Sequence, residues 1–347
     1  MVQILLAIFF RGVIAFAAED ACVSFNSDFP ESASSLVKDC TLGNYSEKCF
    51  PVDRDHKKPF RLLNAKSDHV AICVHGLSDS PYYLKDVAQC IGEEGFEVWG
   101  IRLRGHVDED QPQRIAEGSW ESWSGAVRCA VERVLKQGRK PVLCGFSTGG
   151  ALALSHTFAM EPLQRASGLL LFSPAVRLPW LAETLPLGWF NFPVSSGELR
   201  YCGRYHQLYS KGVHYLKQGL AELASNAQSK AAQQQLPIPL FVYLSSDDSA
   251  IRPQAAISFS EKYFREKSYL VIGKYDLGRE IESSIVRGGG RRVRLSSPLD
   301  HSALLKTQGC GQPYEVNGHF DLLCSSVKNF VRTLKENSSA NIKSAER

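Results

Sequence analysis

Residues 141–150, PVLCGFSTGG, decide the fold of this chain. The apolar run PVLC predicts a buried strand, and the sequence ALAL directly after the stretch predicts the start of a helix. Ser147 stands between them in a G-x-S-x-G pattern, which is common by itself but becomes specific when a strand precedes it and a helix follows. A serine on such a sharp turn needs neighbours without Cβ atoms. We therefore predict that Gly145 and Gly149 let strand and helix approach closely and that Ser147 is presented at the turn.

Short apolar runs alternate with longer amphipathic stretches along the rest of the chain. This is the pattern of parallel strands that are joined by crossover helices. The predicted strands are 70–74, 96–101, 141–144, 168–172, 240–244 and 293–295. The predicted helices are 80–94, 119–137, 148–160, 216–235 and 322–334. The sequence therefore predicts an α/β fold with a mostly parallel central sheet flanked by helices.

A long interval separates the fourth and fifth predicted strands. Because its early part is dense in Trp, Tyr, Leu and Pro and its later part in Ala and Gln, we interpret residues 174–236 as an inserted lid. An ordinary packed insertion is the alternative. The α/β core then comprises residues 67–173 and 237–336. A cysteine-containing N-terminal segment at 19–66 precedes the core, and a polar C-terminal tail at 337–347 follows it.

The first residues of the chain have the composition of a targeting segment. Residues 1–18 are apolar except for three residues and end in AFAA, which predicts a signal peptide. Three cysteines, Cys22, Cys40 and Cys49, follow closely, as in exported proteins that are stapled by disulfides. We therefore expect export, to the periplasm or outside the cell. An N-terminal membrane anchor is the alternative, and peripheral contact with a membrane is left open.

Composition excludes several other classes of function. The formal net charge is only +4 and no basic stripe is interleaved with aromatic residues, so nucleic acid is not an expected partner. Of the ten cysteines, Cys73 and Cys144 lie inside apolar runs and are predicted to be buried thiols. The chain contains neither a C-x-x-C pattern nor clustered Cys and His, so we predict no metal site.

A serine hydroxyl becomes a nucleophile only when a base removes its proton and a carboxylate orients that base. Five histidines follow the G-x-S-x-G serine: His156, His206, His214, His301 and His319. We predict His301 as the base, because it follows the last predicted strand in a loop that would reach the carboxyl edge of the sheet. His319, at the start of the final helix, is the alternative. Two adjacent aspartates, Asp247 and Asp248, follow the strand at 240–244 and are candidates for the acid.

A second motif, HGLSDSP at 75–81, follows the first predicted strand. With the strand–serine–helix stretch, it makes the sequence resemble the α/β-hydrolases, and in particular their carboxylesterase and monoacylglycerol-lipase-like group, over about residues 60–335. In the order nucleophile, acid and base, the resemblance implies Ser147, Asp248 and His301. It also implies an oxyanion hole formed by the backbone N–H groups of Leu77 and Thr148, and a structural role for His75.

Some loops of the sequence match the family pattern more closely than others. Asp248 is preferred over Asp247 because its spacing to Ile251 resembles the acid loop of the superfamily. The RLRGH turn at 102–106 also resembles the family pattern, although Val107 replaces a second glycine. The segment at 269–292 adds an apolar run and a triple glycine between acid and base, so the strand register there stays open.

These residues predict transfer of an acyl group to water through an acyl-enzyme, without a cofactor. The single-glycine HGL loop resembles that of esterases and lipases for medium or longer acyl chains. We therefore expect a carboxylic ester hydrolase whose substrate is a small or lipid-like ester, such as a monoacylglycerol. The same triad also serves thioesterases, amidases, peptidases and carbon–carbon hydrolases, and a hydrolase-like binding protein without activity is a further alternative. None of these features predicts an oligomeric state.

Overall fold

The computed structural model describes most of the chain from residue 57 onward. The described residues are 22, 25, 57–106, 111–184, 188–196, 204–231, 234–305 and 317–345. The predicted signal peptide at 1–18 lies outside them, as do Cys40 and Cys49. Within the described part of the chain, no helix combines the length and hydropathy that a membrane span requires.

The central sheet is mostly parallel. In chain order the strands are β1 (Phe60–Leu62), β2 (His69–Val74), β3 (Glu97–Ile101), β4 (Lys140–Phe146), β5 (Gly168–Phe172), β6 (Pro193–Ser196), β7 (Gln207–Tyr209), β8 (Leu240–Ser245), β9 (Lys267–Gly273) and β10 (Arg291–Arg294). Eight of them form one sheet in the order β1-β3-β2-β4-β5-β8-β9-β10, in which only β1 runs antiparallel to its neighbour. Strands β6 and β7 pair separately. The carboxyl ends of the parallel strands therefore share one edge of the sheet.

Helices cover both faces of this sheet. They are α1 (Lys85–Glu93), α2 (Trp120–Lys136), α3 (Thr148–Ala159), α4 (Trp180–Thr184), α5 (Ser210–Ala231), α6 (Pro253–Tyr263), α7 (Arg279–Arg287) and α8 (Phe320–Ala345). Because strand side chains alternate between faces, Val70 and Ile72 of β2 join one buried cluster with α2, α3 and α5, whereas Ala71 and Cys73 join another with α1 and α8. The predicted α/β architecture is confirmed.

Several elements differ from the sequence prediction. Helix α5 begins at Ser210 rather than at residue 216, because the Ser210 hydroxyl accepts the Phe192 N–H (3.1 Å) and donates to the Phe190 carbonyl (2.7 Å), which fixes the first turn. Strand β9 occupies the segment whose register was open, and its neighbour β10 ends one residue earlier than predicted. The short strands β1, β6 and β7 and the helices α4, α6 and α7 were not predicted. Strand β1 lies within the segment assigned to the N-terminal region, and α8 continues into the segment assigned to the tail.

The insertion between β5 and β8 is packed on the core. Its long helix α5 lies against α3 and α2, and a Cβ atom at Gly219 would overlap the Trp120 ring of α2, so this glycine allows the close contact. Other parts of the insertion face solvent: the side chains of Trp180, Trp189 and Phe190 are 67%, 84% and 73% exposed. The insertion therefore combines a packed helix with an exposed aromatic surface. Its movement as a lid stays a prediction.

Among the described residues, two disulfides join distant parts of the chain. Cys22 is bonded to Cys129 of α2, and Cys90 of α1 is bonded to Cys324 of α8. The predicted buried thiols are confirmed: Cys73 and Cys144 are free, fully buried and side by side in β2 and β4. The disulfides thus attach Cys22 and the final helix to opposite faces of the sheet.

Candidate active site

Ser147 occupies a strained turn between β4 and α3. Its backbone angles are φ 53° and ψ −113°, a region that residues with a side chain rarely adopt. Neighbouring backbone holds it there: the Ser147 N–H donates to the Phe172 carbonyl (3.0 Å), and the Ser147 carbonyl accepts the Ala175 N–H (3.0 Å). The end of β5 therefore supports the turn from one side and keeps the serine at the carboxyl edge of the sheet.

The glycines around Ser147 are required by close backbone contacts. A Cβ atom at Gly145 would overlap the Gly149 carbonyl, and one at Gly149 would overlap the Val74 carbonyl oxygen of β2. These neighbours are backbone atoms and cannot swing aside as a flexible side chain can. The predicted close approach of strand and helix is confirmed, and β2 is part of it.

His301 and Asp248 meet at the same edge of the sheet, 53 residues apart in the chain. His301 Nδ1 lies 2.6 Å from Asp248 Oδ2, and both residues are nearly buried. The other carboxylate oxygen, Oδ1, accepts the N–H groups of Ala250 (2.9 Å) and Ile251 (3.0 Å). Because the carboxylate can only accept, Nδ1 carries the proton and Nε2 of the neutral ring is left as the basic nitrogen.

The imidazole of His301 is also positioned by an aromatic contact. Its centroid lies 4.6 Å from that of Phe146, the residue directly before Ser147, and the Tyr83 ring packs on Phe146 at 4.7 Å. The Tyr83 hydroxyl reaches the His301 carbonyl at 3.5 Å. The ring of the predicted base therefore packs directly on the turn that carries the predicted nucleophile.

The geometry shows which of the candidate aspartates and histidines lie together. Asp247 directs its carboxylate to backbone N–H groups, including that of Leu299 (3.0 Å), whereas Asp248 takes the His301 ring. His319 is exposed, and its N–H donates to Asn317 Oδ1 (2.9 Å) just before α8. It thus belongs to the start of the helix. His156 is buried on α3 against the Gln164 carbonyl (3.2 Å), and burial lowers its pKa to about 4.

The predicted oxyanion loop follows β2 and is held by two histidines. His75 is fully buried; its Nδ1–H donates to the Gly76 carbonyl (2.8 Å), and its Nε2 accepts the Leu103 N–H (3.2 Å). Burial, followed by the neighbouring His106, lowers the pKa of His75 well below its ordinary value. With both nitrogens used by backbone groups, His75 is not available as a base.

His106 was not predicted as part of the site. Its Nε2–H donates to the Leu77 carbonyl (2.8 Å), and its ring lies 4.6 Å from that of His75. The two peptide groups that flank Leu77 are therefore each held by an imidazole, which sets the direction of the Leu77 N–H. The Thr148 N–H is in the first turn of α3, where helix geometry leaves N–H groups without an intrahelical acceptor. The RLRGH turn was the available sequence signal for His106.

The fold has counterparts among known proteins. Residues 65–195 match the family model described as Serine aminopeptidase, S33. The chain has the α/β-hydrolase fold. No sequence among the curated proteins matches it significantly. The predicted recognition of an α/β-hydrolase is confirmed, and the family match supports a hydrolytic enzyme.

Three solved structures are similar in fold but distant in sequence. One of the metagenome-derived lipolytic enzymes LipS and LipT is 15% identical, with a TM-score of 0.57 over 80% of this chain and 98% of the other. A soluble variant of monoglyceride lipase from Saccharomyces cerevisiae is 14% identical, with a TM-score of 0.57 over 80% and 91%. A monoacylglycerol lipase from Paleococcus ferrophilus is 13% identical, with a TM-score of 0.53 over 80% and 99%. At this distance the likeness shows the fold.

The insertion contacts the outer side of the predicted oxyanion loop. Arg204 forms an ion pair with buried Asp79 (2.6 Å) and donates to the Ser78 hydroxyl (2.8 Å), while the Tyr205 N–H donates to the Ser78 carbonyl (2.9 Å). A small recess that is open to solvent lies beside the loop. Its lining includes Leu77, His106, Ile115, Tyr205, Leu208 and Tyr209. Insertion and core together shape the surroundings of Leu77.

Proposed function

We propose that this α/β-hydrolase cleaves carboxylic esters through a Ser147–His301–Asp248 triad and an acyl-enzyme intermediate. The 2.6 Å hydrogen bond between His301 Nδ1 and Asp248 Oδ2, beside the strained serine turn, is the observation that carries the proposal. A buried carboxylate that fixes the tautomer of a histidine is the arrangement that converts a serine hydroxyl into a nucleophile.

In the proposed reaction, Ser147 Oγ attacks the ester carbonyl and His301 Nε2 takes its proton. Asp248 stabilises the imidazolium that forms, and the N–H groups of Leu77 and Thr148 donate to the oxyanion. His301 returns the proton to the leaving alcohol, which leaves the acyl group on Ser147. A water molecule then attacks the acyl-enzyme and gives its proton to His301, which returns that proton to Ser147 Oγ as the carboxylic acid leaves.

A lipid-like ester is the substrate class that we propose. Ile115 and Leu208 place apolar side chains beside Leu77, which supports an apolar group in the substrate near the scissile carbonyl. The insertion also exposes three aromatic side chains, those of Trp180, Trp189 and Phe190. This exposed aromatic surface supports peripheral contact with a lipid interface. The similar solved structures include enzymes named as monoglyceride or monoacylglycerol lipases, in keeping with this class.

The test is a panel of p-nitrophenyl esters from acetate to palmitate, run with wild type, Ser147→Ala and the exposed-serine control Ser283→Ala. We expect hydrolysis by wild type and the control, with a preference for medium or longer chains, and loss of it in Ser147→Ala. A fluorophosphonate probe should label wild type but not Ser147→Ala. If wild type and both variants hydrolyse no ester, but wild type hydrolyses thioesters or amides, the protein is a thioesterase or an amidase instead. Inactivity on all of them, without labelling, would favour the binding-protein alternative.

We also propose that the protein is exported. The two disulfides support this, because disulfides form and persist mainly in oxidising compartments. N-terminal sequencing of the protein recovered from cells tests it: cleavage near residue 18 is expected, and an intact Met1 on a cytosolic protein with reduced Cys90 and Cys324 would overturn it.

A further inference from the structure

The acid loop holds the backbone of the His301 loop from two sides. The Ser245 hydroxyl donates to the Leu299 carbonyl (2.5 Å), and Asp247 Oδ2 accepts the Leu299 N–H (3.0 Å). Leu299 precedes His301 by two residues, and its side chain is buried. Both peptide groups of Leu299 are therefore attached to the end of β8, directly beside Asp248.

Asp247 also attaches the acid loop to a third segment. Its carboxylate accepts the N–H groups of Lys274 (2.8 Å to Oδ2) and Tyr275 (2.9 Å to Oδ1), which follow β9. Arg292 reinforces this junction by donating to the Tyr275 carbonyl (2.7 Å) and to the Ser246 hydroxyl (3.1 Å). One carboxylate thus joins the loops that follow β8, β9 and β10.

The carboxylate of Asp247 is suited to this role because it stays ionised. Partial burial acts to raise its pKa, but the backbone N–H groups of Tyr275, Lys274 and Leu299 outweigh burial and lower it. Hydrogen bonds to an ionised acceptor are shorter and stronger than those between neutral groups. Asp247 has no hydrogen bond to the His301 ring among those of the described residues, so its influence on the ring passes through Leu299.

We propose that Asp247 is a positioning residue of the triad, which sets the reach of His301 by holding Leu299 against the acid loop. The two adjacent aspartates then have separate tasks: Asp248 orients the imidazole ring, and Asp247 fixes the backbone that carries it. This inference rests on the proposed ester hydrolysis, because the position of His301 matters for turnover only if His301 is the base.

The variant Asp247→Ala removes the link, and Asp247→Asn keeps part of it, because an amide oxygen can still accept the Leu299 N–H. We expect kcat to fall by about 10- to 100-fold in Asp247→Ala, with KM changed by less than about threefold, since a misplaced base slows chemistry more than binding. Asp247→Asn should recover part of kcat. The matched control is Asp276→Ala, which removes an exposed carboxylate that pairs with Arg294 near the same loop.

A second measurement does not depend on turnover. The Nδ1–H proton of His301, hydrogen-bonded to Asp248, should give a low-field proton NMR line, which Asp248→Asn identifies by removing it. We expect this line to shift or broaden in Asp247→Ala and to return towards its wild-type position in Asp247→Asn. If Asp247→Ala does not fold, Asp247→Asn and Ser245→Ala, which weaken the link singly, should show smaller changes in the same direction.

The outcomes separate the two proposals. Folded Asp247 variants with wild-type kcat and an unchanged low-field line would overturn the positioning role while leaving ester hydrolysis intact. If the line shifts in Asp247→Ala but wild type hydrolyses no ester, the proposed function is refuted while the structural link is supported. A loss of kcat that only tracks the unfolded fraction would assign Asp247 to stability and overturn the inference.

Discussion

Replacing Asp248 by Asn tests the proposed triad with little change in shape. The asparagine oxygen can keep the Ala250 and Ile251 N–H groups that Asp248 Oδ1 now accepts at 2.9 and 3.0 Å. The amide nitrogen then occupies the position of Oδ2, 2.6 Å from His301 Nδ1. Because an amide NH₂ donates and cannot accept, the neutral imidazole must place its proton on Nε2 instead of Nδ1.

The expected loss of kcat follows from that tautomer. A ring with Nε2–H has no lone pair directed at the Ser147 hydroxyl and cannot act as the base, so we expect kcat to fall by about 10⁴-fold, or about 5 kcal/mol. The hydrogen bonds from the Ala250 and Ile251 N–H groups are retained, and the charged hydrogen bond between residue 248 and His301 is replaced by a neutral one. The free energy of unfolding should therefore change by no more than about 1–2 kcal/mol.

The assay combines steady-state hydrolysis of the preferred p-nitrophenyl ester with urea unfolding of the same preparation. Asp276→Asn is the control, since it makes the same chemical change at an exposed carboxylate. A loss of less than about tenfold in folded Asp248→Asn would refute the tautomer argument. An equal loss of kcat in Asp276→Asn would show that the effect is not specific to Asp248. A loss of kcat in His319→Ala, without one in His301→Ala, would assign the base to His319 instead.

Three further predictions concern packing, pH and the surface. Gly149→Ala should lower the free energy of unfolding by about 1–3 kcal/mol, since its Cβ would overlap the Val74 carbonyl; an unchanged urea midpoint would contradict the close approach. The pKa of His156 is about 4 when folded and about 6.5 when unfolded, so the unfolded state binds more protons in between. Stability should thus be complete above pH 6.5 and fall by at most about 3 kcal/mol as the pH drops to 4; His156→Gln should reduce this slope, and an unaltered slope would exclude His156 as its source. Trp189→Ser should weaken binding to phospholipid vesicles by up to about tenfold without changing hydrolysis of a soluble ester, and unchanged binding would count against the aromatic surface as the contact.

Local patterns were sufficient for the main part of the fold. The strand at 168–172 was predicted with the bounds that it has, and those at 70–74 and 240–244 to within one residue, because buried parallel strands are apolar on both faces. Strand β1 was missed because it has three residues with Arg61 at its centre, and its pairing depends on β3 and on the ion pair of Arg61 with Glu97 (2.5 Å).

The sequence by itself predicted that Ser147 lies on a sharp turn between a strand and a helix, because these elements are contiguous and the required glycines lie close to the serine in the chain. It also indicated His301 and a carboxylate after β8, because parallel strands bring their following loops to one edge. Only the tertiary structure showed that Asp248, and not Asp247, contacts the His301 ring. Adjacent side chains point in different directions, and their partners lie 53 and 52 residues away in the chain, so the hydrogen bonds to His301 and Leu299 exist only after the loops have come together. The same holds for His106, whose contact with Leu77 joins two loops that local sequence patterns describe separately.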